Sequence, residues 1–502
     1  MQSDDARSVA PRWRAAIGFA VLTRLLAGLV AGCTVGPDYQ PPKEPEADGY
    51  TAEGVTLAIP GSTQTAQHLT LGKKISGEWW KLLHSPPLDA VLAQAIVGNR
   101  SLAAATATLD QAQETVNQTA AQRYPRLDLT AGISRQKSNL AASGSNQSGS
   151  IFNLYSIGPN LSYTLDLFGG VTRQIEQQQA LAEFQAFQLT AAYLTLTGNA
   201  VTQAVQIASL RAQIKAVEDI VADDERNLDS VRSLFEVRHV TRMDVQSALS
   251  QLTADRTLLP PLRQQLSVAR HALAVLIGRP PAEWTPPDFE LADFVLPEEL
   301  PVSLPSSLVH QRPDILASES QLHAASAAIG VAAAQLYPNI TLSGAMLQQA
   351  LTTTNLFSAA NSGWNIMSNL TAPIFHGGAL EAQRRAAENA FQSALANYEQ
   401  TVLQSFAQVA DLLDALAHDA ELLDDQQQAL DSARLSLSLT RDSFASGNAS
   451  LLQVLDAERL YQQARLGYAR AQAQRFLDTT QLFVAMGGGW WEWQSDLAAA
   501  PS

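Results

Sequence analysis

The sequence predicts an α+β membrane protein in which four spanning strands are joined to very long coiled-coil helices, written as two internal repeats. Three observations carry this reading. Landmark residues recur in the same order about 210 positions apart. In each copy one alternating apolar/polar stretch follows a Tyr-Pro pair, and a second leads into a Gly-Gly return. The helical stretches beyond keep heptad rows of apolar residues over many turns.

At 502 residues the chain has ample capacity to bury a core. Its 33 basic and 48 acidic residues give a net charge of −15, which argues against a nucleic-acid surface built on a basic stripe. The single cysteine excludes an intramolecular disulfide. After residue 32 no uncharged apolar run is long enough for a transmembrane helix, so any spanning must be done by strands.

Arg12 and Arg14 precede the apolar stretches Ala15–Leu22 and Leu25–Ala31, separated by Arg24, and Val30-Ala31-Gly32-Cys33 closes the run. This resembles a bacterial lipoprotein signal, in which the cysteine is acylated and becomes the new N-terminus. The alternative is a short buried helix ending in an inert cysteine. It does not require the sole cysteine to fall at this position. Acyl chains on Cys33 would add roughly 0.8 kcal/mol per buried methylene. Thr34 follows where an aspartate would suggest inner-membrane retention, so the outer membrane is expected.

The repeat is explicit. Ala121-Gln122-Arg123-Tyr124-Pro125 recurs as Ala334-Gln335-Leu336-Tyr337-Pro338, an offset of 213. Phe168-Gly169-Gly170 recurs as Phe375-His376-Gly377-Gly378 at 207 or 208. Phe235 and Val245 match Phe444 and Val454 at 209, and Ile277-Gly278 matches Met486-Gly487 at the same spacing. Proline ends a helix at each Tyr-Pro. Leu127, Leu129 and Ala131 then alternate with Asp128 and Thr130, as Ile340, Leu342 and Gly344 do with Thr341 and Ser343. Polar loops follow at Ser138–Ser150 and Leu351–Ser362. The chain returns through a second alternating stretch at Leu161, Tyr163, Leu165 and Leu167, and again through Ile366 to Ile374. Each strand is expected to be about ten residues, enough for a tilted membrane strand.

Ile207, Ile214, Val221, Leu228 and Phe235 form one heptad row. Leu210, Val217 and Val231 form its companion, broken at Asp224, and the second copy repeats the spacing at Leu423, Leu430, Leu437 and Phe444. The first such helix, from about Gly170 to Phe235, would span on the order of 95 Å.

The expected organisation is a signal peptide over 1–32 and a lipidated extended segment over 33–85. Repeat 1 covers 86–279, with a hairpin at about 126–167. A Pro-rich extended linker over 280–305 leads to repeat 2, 306–490, with a hairpin at about 339–375, and a tail over 491–502. Four strands cannot close a barrel alone, and lipid does not tolerate an open edge. The chain must therefore share a barrel with copies of itself, and two or three copies would both close one.

No chemistry is legible. The eight histidines show no HExxH or i, i+4 pair suggesting zinc, and there is no GxSxG elbow, phosphate-binding loop or Rossmann fingerprint. No enzyme, cofactor or metal site is expected, and the Gly-Gly runs read as turns.

The arrangement resembles the outer-membrane factor family, the TolC-like proteins, and within it the lipid-anchored NodT/OprM-like branch. The residues that carry the resemblance are Trp79-Trp80, Leu165-Asp166-Leu167-Phe168-Gly169, Gln311-Arg312-Pro313-Asp314-Ile315, Pro373-Ile374-Phe375-His376-Gly377-Gly378, Leu455-Asp456-Ala457-Glu458-Arg459 and Ala485-Met486-Gly487-Gly488-Gly489-Trp490. The resemblance implies a homotrimer with a twelve-stranded outer-membrane β-barrel, four strands per protomer, continued by a periplasmic α-helical coiled-coil barrel. It implies partners: a periplasmic adaptor (membrane fusion) protein, an inner-membrane pump of the RND type, and outer-membrane lipid. The implied function is a passive exit duct of a tripartite efflux system for drugs, metals or other small molecules. The alternatives are the duct of a type I protein secretion system and a structural coiled-coil lipoprotein without a pore.

The resemblance also implies a periplasmic gate at Leu452, Asp456 and Arg459. Their i, i+4, i+7 spacing puts them on one helix face, where converging carboxylates would attract cations. Arg459 would lock the gate through a neighbouring carboxylate. A solvated surface pair worth under ~1 kcal/mol is the alternative. Asp244 and Gly447 mark the tip turns, and Asp244 is a possible partner for Arg459. Arg238 stands where the second copy has Gly447, so an altered first-copy turn is expected.

Overall fold

The computed structural model describes residues 34–43, 49–51, 58–59, 67–73, 75–137 and 149–491. The expected signal segment, Cys33, positions 138–148 of the first polar loop and the tail from 492 lie outside the described residues. The elements, in order, are β1 (Ala58–Ile59), β2 (Gln67–Leu71), α1 (Pro86–Gly98), α2 (Arg100–Ala120), β3 (Arg126–Lys137), β4 (Ile151–Leu165), α3 (Gly170–Glu236), α4 (Arg242–Arg256) and α5 (Leu259–Ile277). They continue with β5 (Glu299–Val302), α6 (Pro305–Leu308), α7 (Pro313–Ala334), β6 (Asn339–Ala350), β7 (Ser362–Thr371), α8 (Ala379–Ala445) and α9 (Leu451–Ala485). Helices α3 and α8 are each 67 residues long. Among the described residues no helix is long and apolar enough to cross a membrane.

Two compact units divide the chain. The first holds the described residues up to Pro41 with Asp110–Glu183 and Glu319–Ala396. Its centre is an antiparallel sheet in the order β3-β4-β6-β7. Leu165 lies opposite Ile340, joining the second strand of one copy to the first strand of the other. Strand β7 stops at Thr371, short of the expected Ile374, because Pro373 has no N–H to donate. Leu127, Leu129, Ile133, Trp364, Ile366 and Leu370 are all exposed in the single chain. Helix α3 starts where the Asp166 carboxylate accepts from the N–H groups of Val171 and Thr172 (3.0 and 2.8 Å).

The same unit grips the segment that follows Cys33. Val35 donates its N–H to the Phe168 carbonyl at 3.1 Å. The buried Arg173 guanidinium donates to the Val35 carbonyl, Asp38 and Glu176 at 3.3, 2.6 and 2.7 Å. His323 meets Glu176 at 3.0 Å, and its ring stacks on Tyr39 with centroids 4.3 Å apart. Gly36, at φ +99°, passes so close to α7 that an added Cβ would lie 2.4 Å from Gly330 Cα.

The second unit comprises Pro42–Leu109, Phe184–Ser318 and Asn397–Ser502. Its core gathers Trp79, Leu83, Leu88 and Leu92 with Ile207, Leu210, Leu273 and Phe483. The heptad row is buried through Ile207, Ile214 and Leu228, and its companion through Leu210, Val217 and Val231. The Pro-rich segment expected as a linker is in fact packed: Phe289, Leu300 and Val302 are fully buried, and β5 runs parallel to β2. Proline denies that stretch a helix without keeping its apolar side chains from the core. Motifs far apart in sequence meet here. Trp490 donates to the Gln311 carbonyl at 2.7 Å, and Arg312 donates to the Ala485 carbonyl at 3.0 Å. Pro260 and Pro261 divide the first copy's returning helix into α4 and α5, whereas α9 continues for 35 residues.

Gly36→Ala adds both a clash and a left-handed alanine, so a stability loss of about 2–3 kcal/mol is expected. It should appear as a lower melting temperature and faster proteolysis of the N-terminal segment. Gly72→Ala, at φ +78° with open space around it, should lose only about 1 kcal/mol.

Candidate functional site

The helix turns at the ends of α3 and α8 are built by the same backbone chemistry. Each helix closes with a Schellman motif. Arg238 N–H donates to the Phe235 carbonyl and His239 N–H to that of Leu234, at 3.0 and 2.9 Å. Gly447 and Asn448 donate likewise to Phe444 and Ser443, both at 2.9 Å. A capping box opens the following helix in both copies, Thr241 with Asp244 and Ser450 with Gln453. Each of these positions is offset by 209 from its counterpart. The expected altered first-copy turn is therefore corrected: Arg238 sits at φ +62° and Gly447 at φ +76°. The hydrogen bonds that close the helix hold the arginine where glycine is favoured.

Leu452, Asp456 and Arg459 lie along one exposed face of α9, while Val454 and Leu455 point into the core. Arg459 donates to Asp456 of its own helix at 2.7 Å. Together with Met243, Gln246 and Ser250 of α4 they line a groove of about 540 Å³. Asp244 does not meet Arg459. Its carboxylate accepts from the Thr241 N–H and hydroxyl, both at 2.8 Å, and these bonds hold its pKa below the usual carboxylate range. Within one chain Asp244 thus serves as the capping-box carboxylate of its own helix N-terminus and not as the partner of Arg459.

Behind this face sits a polar cluster that sequence reading did not assemble. Asp224 of α3, Asp255 of α4 and Glu458 of α9 are all buried. Arg441 of α8 donates to Glu458 at 2.9 Å and to Asp223 at 3.4 Å. Asp255 accepts from Gln251 and Gln462 at 2.8 and 3.1 Å. Burial, then the hydrogen bond and charge of Asp255, push the Asp224 carboxyl up to about 8. Burial also raises Glu458, against the opposing pull of Arg441. A second acid pair, Asp419 and Asp478, repeats the pattern, with burial and the shared hydrogen bond raising Asp419 to about 7. The signal for the first cluster was the heptad row broken at Asp224. Its partners come from three other helices, and no local pattern announces them. Among the described residues no group of acidic, histidine or cysteine side chains could hold a metal ion.

Residues 91–279 and 304–488 match the family of outer membrane efflux proteins. The chain is 32% identical over 429 residues to the pyoverdine export outer membrane protein OpmQ of Pseudomonas aeruginosa, covering 84% of this chain and 88% of that protein. It is 28% identical to the probable outer membrane lipoprotein SilC of Salmonella typhimurium, over 92% of this chain and 97% of SilC. Among solved structures it is similar to the outer-membrane channel OprN, with a TM-score of 0.82 and 27% identity over 91% of this chain and 100% of that one. The open state of the Neisseria gonorrhoeae MtrE outer membrane channel gives 0.78 and 26%, over 91% and 98%.

Two outcomes are expected from this geometry. Because the folded Asp224 holds its proton far above the ordinary carboxylate range, its contribution to stability is full below about pH 4 and is lost as pH rises toward 8. Asp224→Asn should flatten that slope and raise stability above pH 8 by about 1–2 kcal/mol, read from melting curves across pH. Arg238→Gly should relieve the left-handed arginine and strengthen the turn by about 1 kcal/mol, seen as slower hydrogen exchange at the His239 amide.

Proposed function

From the premise that the chain belongs to the outer membrane efflux protein family, we propose that it is the exit duct of a tripartite efflux system. It would conduct small molecules passively from a periplasmic adaptor and an inner-membrane pump of the RND type to the exterior. The observation that carries this reading is the four-stranded sheet whose two edge strands each have one ladder only and whose apolar side chains face outward. Such a sheet is stable in lipid only when copies close it. Three copies, giving twelve strands, form the assembly we propose, with the paired long helices α3 and α8 continuing it into the periplasm. Signal residues 1–32 are removed and Cys33 is acylated, and the Arg173 clasp then holds the chain just beyond the anchor.

The protein is an outer-membrane efflux protein, and its cargo follows from the pump rather than the duct. Relatives are named for pyoverdine export, cation efflux and solvent efflux, which fits a conduit that discriminates little. Selectivity at the periplasmic end is assigned to Leu452 and Asp456, with Arg459 restraining the Asp456 carboxylate from one helical turn away. Rings of Leu452 and Asp456 would constrict the closed duct and favour cations.

The test is single-channel recording of purified, lipidated protein in planar bilayers. Wild type should give a small or flickering conductance that rises several-fold in Asp456→Ala. An unchanged conductance would remove the gate assignment and leave the duct. Absence of channels from folded, inserted oligomers would sink the duct itself.

A further inference from the structure

The internal repeat supplies a template for a contact that the single chain leaves unmade. Inside one chain the first-copy return meets the second-copy Tyr-Pro corner in three ways. Strand β4 pairs with β6, with Leu165 opposite Ile340. The Phe168 ring stacks on Tyr337, with centroids 4.7 Å apart and planes 22° apart. A Cβ at Gly170 would lie 3.1 Å from the Ala334 Cβ, so the corner is tightly closed.

Each of these has a repeat counterpart, and every counterpart is open. The equivalents of β4 and β6 are β7 and β3, the two edge strands. Phe168 corresponds to Phe375 and Tyr337 to Tyr124, and these rings are 86% and 73% exposed. Gly170 corresponds to Gly378, which has nothing within 4 Å of its Cβ position. Ala334 corresponds to Ala121, which is exposed. Ile374, beside Phe375, is 90% exposed. Large apolar side chains grouped at one end of a strand with a bare edge mark an interaction surface.

We infer that Phe375 stacks on Tyr124 of the partner subunit, with Gly378 closing against Ala121 of the partner subunit, so that each junction between chains copies the corner already present within the chain. The inference rests on the proposed oligomeric duct and names the residues of its seam. The occupant is a second copy of this chain, because the covering groups required are the chain's own Tyr-Pro corner and β3 edge. The contact is heterologous, head to tail, and such contacts close into a ring when the rotation permits. The stack lies at the end of the strands, where the proposed β7–β3 ladder between chains would finish, so seam and stack are one continuous surface.

Cysteine pairs in the full-length lipidated protein test it, since the native Cys33 is its only thiol and is acylated under the proposed processing. Singly substituted Tyr124→Cys and Phe375→Cys chains are co-expressed and treated with a short bis-maleimide. The expected product is a covalent species of two chains, absent when either variant is expressed alone. The double variant Phe168→Cys/Tyr337→Cys should cross-link within one chain, read as a monomer carrying a single linker and no free thiol, which shows that the corner is folded. Oligomers proven by light scattering that give no product between Tyr124→Cys and Phe375→Cys, while the control links, overturn this contact and leave the duct. Protein that stays monomeric by light scattering overturns both.

Discussion

A backbone N–H or C=O in hydrocarbon has no water to turn to, so every ladder position of a spanning sheet must be paired. The sheet of this chain has three ladders and two bare edges. Its length, exposure and connectivity follow from that condition. Strands β3, β4, β6 and β7 run 10 to 15 residues, long enough to cross while tilted. Leu127, Leu129, Ile366 and Leu370 stay uncovered, which would be an aggregation hazard in a soluble monomer and fits a sheet destined for lipid. The helices cannot supply the missing partners, because they leave the sheet at Gly170 and Ala379 and run on for 67 residues each. The two edges are left for something outside the chain to complete.

Duplication answers the same condition. The chain pairs the second strand of one copy with the first strand of the other, so one of the two possible junctions between copies is already made within it. The copies agree where backbone hydrogen bonding dictates the answer. Both tip turns use two Schellman bonds and a capping box, although glycine serves one and Arg238 the other. They diverge where the surroundings differ. The first return is covered by Thr34 and Val35, whereas the second is bare. Prolines split α4 from α5, whereas α9 is continuous.

Much of this was legible in the residues. Tyr-Pro corners, Gly-Gly returns and alternating stretches placed the strands, although β4 begins at Ile151, well before the alternation read from Leu161, and the heptads marked the long helices, because these signals are local and periodic. The spacing of Leu452, Asp456 and Arg459 correctly gave a shared helix face. What was missed depends on contacts between distant segments. Arg173 is an unremarkable helix residue until Val35, Asp38 and Glu176 converge on it. Phe289 and Val302 read as linker because proline dominates their neighbourhood, although their own apolar surface decides their fate. Asp244 was read by its charge, while its place three residues after Thr241 had already committed it to a cap.

The polar cluster behind the tip is the clearest departure from a purely apolar coiled coil. A leucine at 224 would complete the row formed by Leu210, Val217 and Val231 and would stabilise the bundle. Instead four helices meet through Asp224, Asp255, Glu458 and Arg441, where Arg441 pairs with Glu458 while one oxygen each of Asp224 and Glu458 stays buried without a partner. Buried polar groups of this kind lower stability and narrow the set of acceptable packings. Close by, Leu228, Val231, Leu252 and Leu455 form a small apolar cluster of their own, distinct from the large core around Trp79. A helix end held by few apolar contacts and by register-specific polar ones can separate from its neighbours at modest cost, then return to one arrangement. A continuous leucine seam at the same place would hold the helix ends together more firmly and in more than one register.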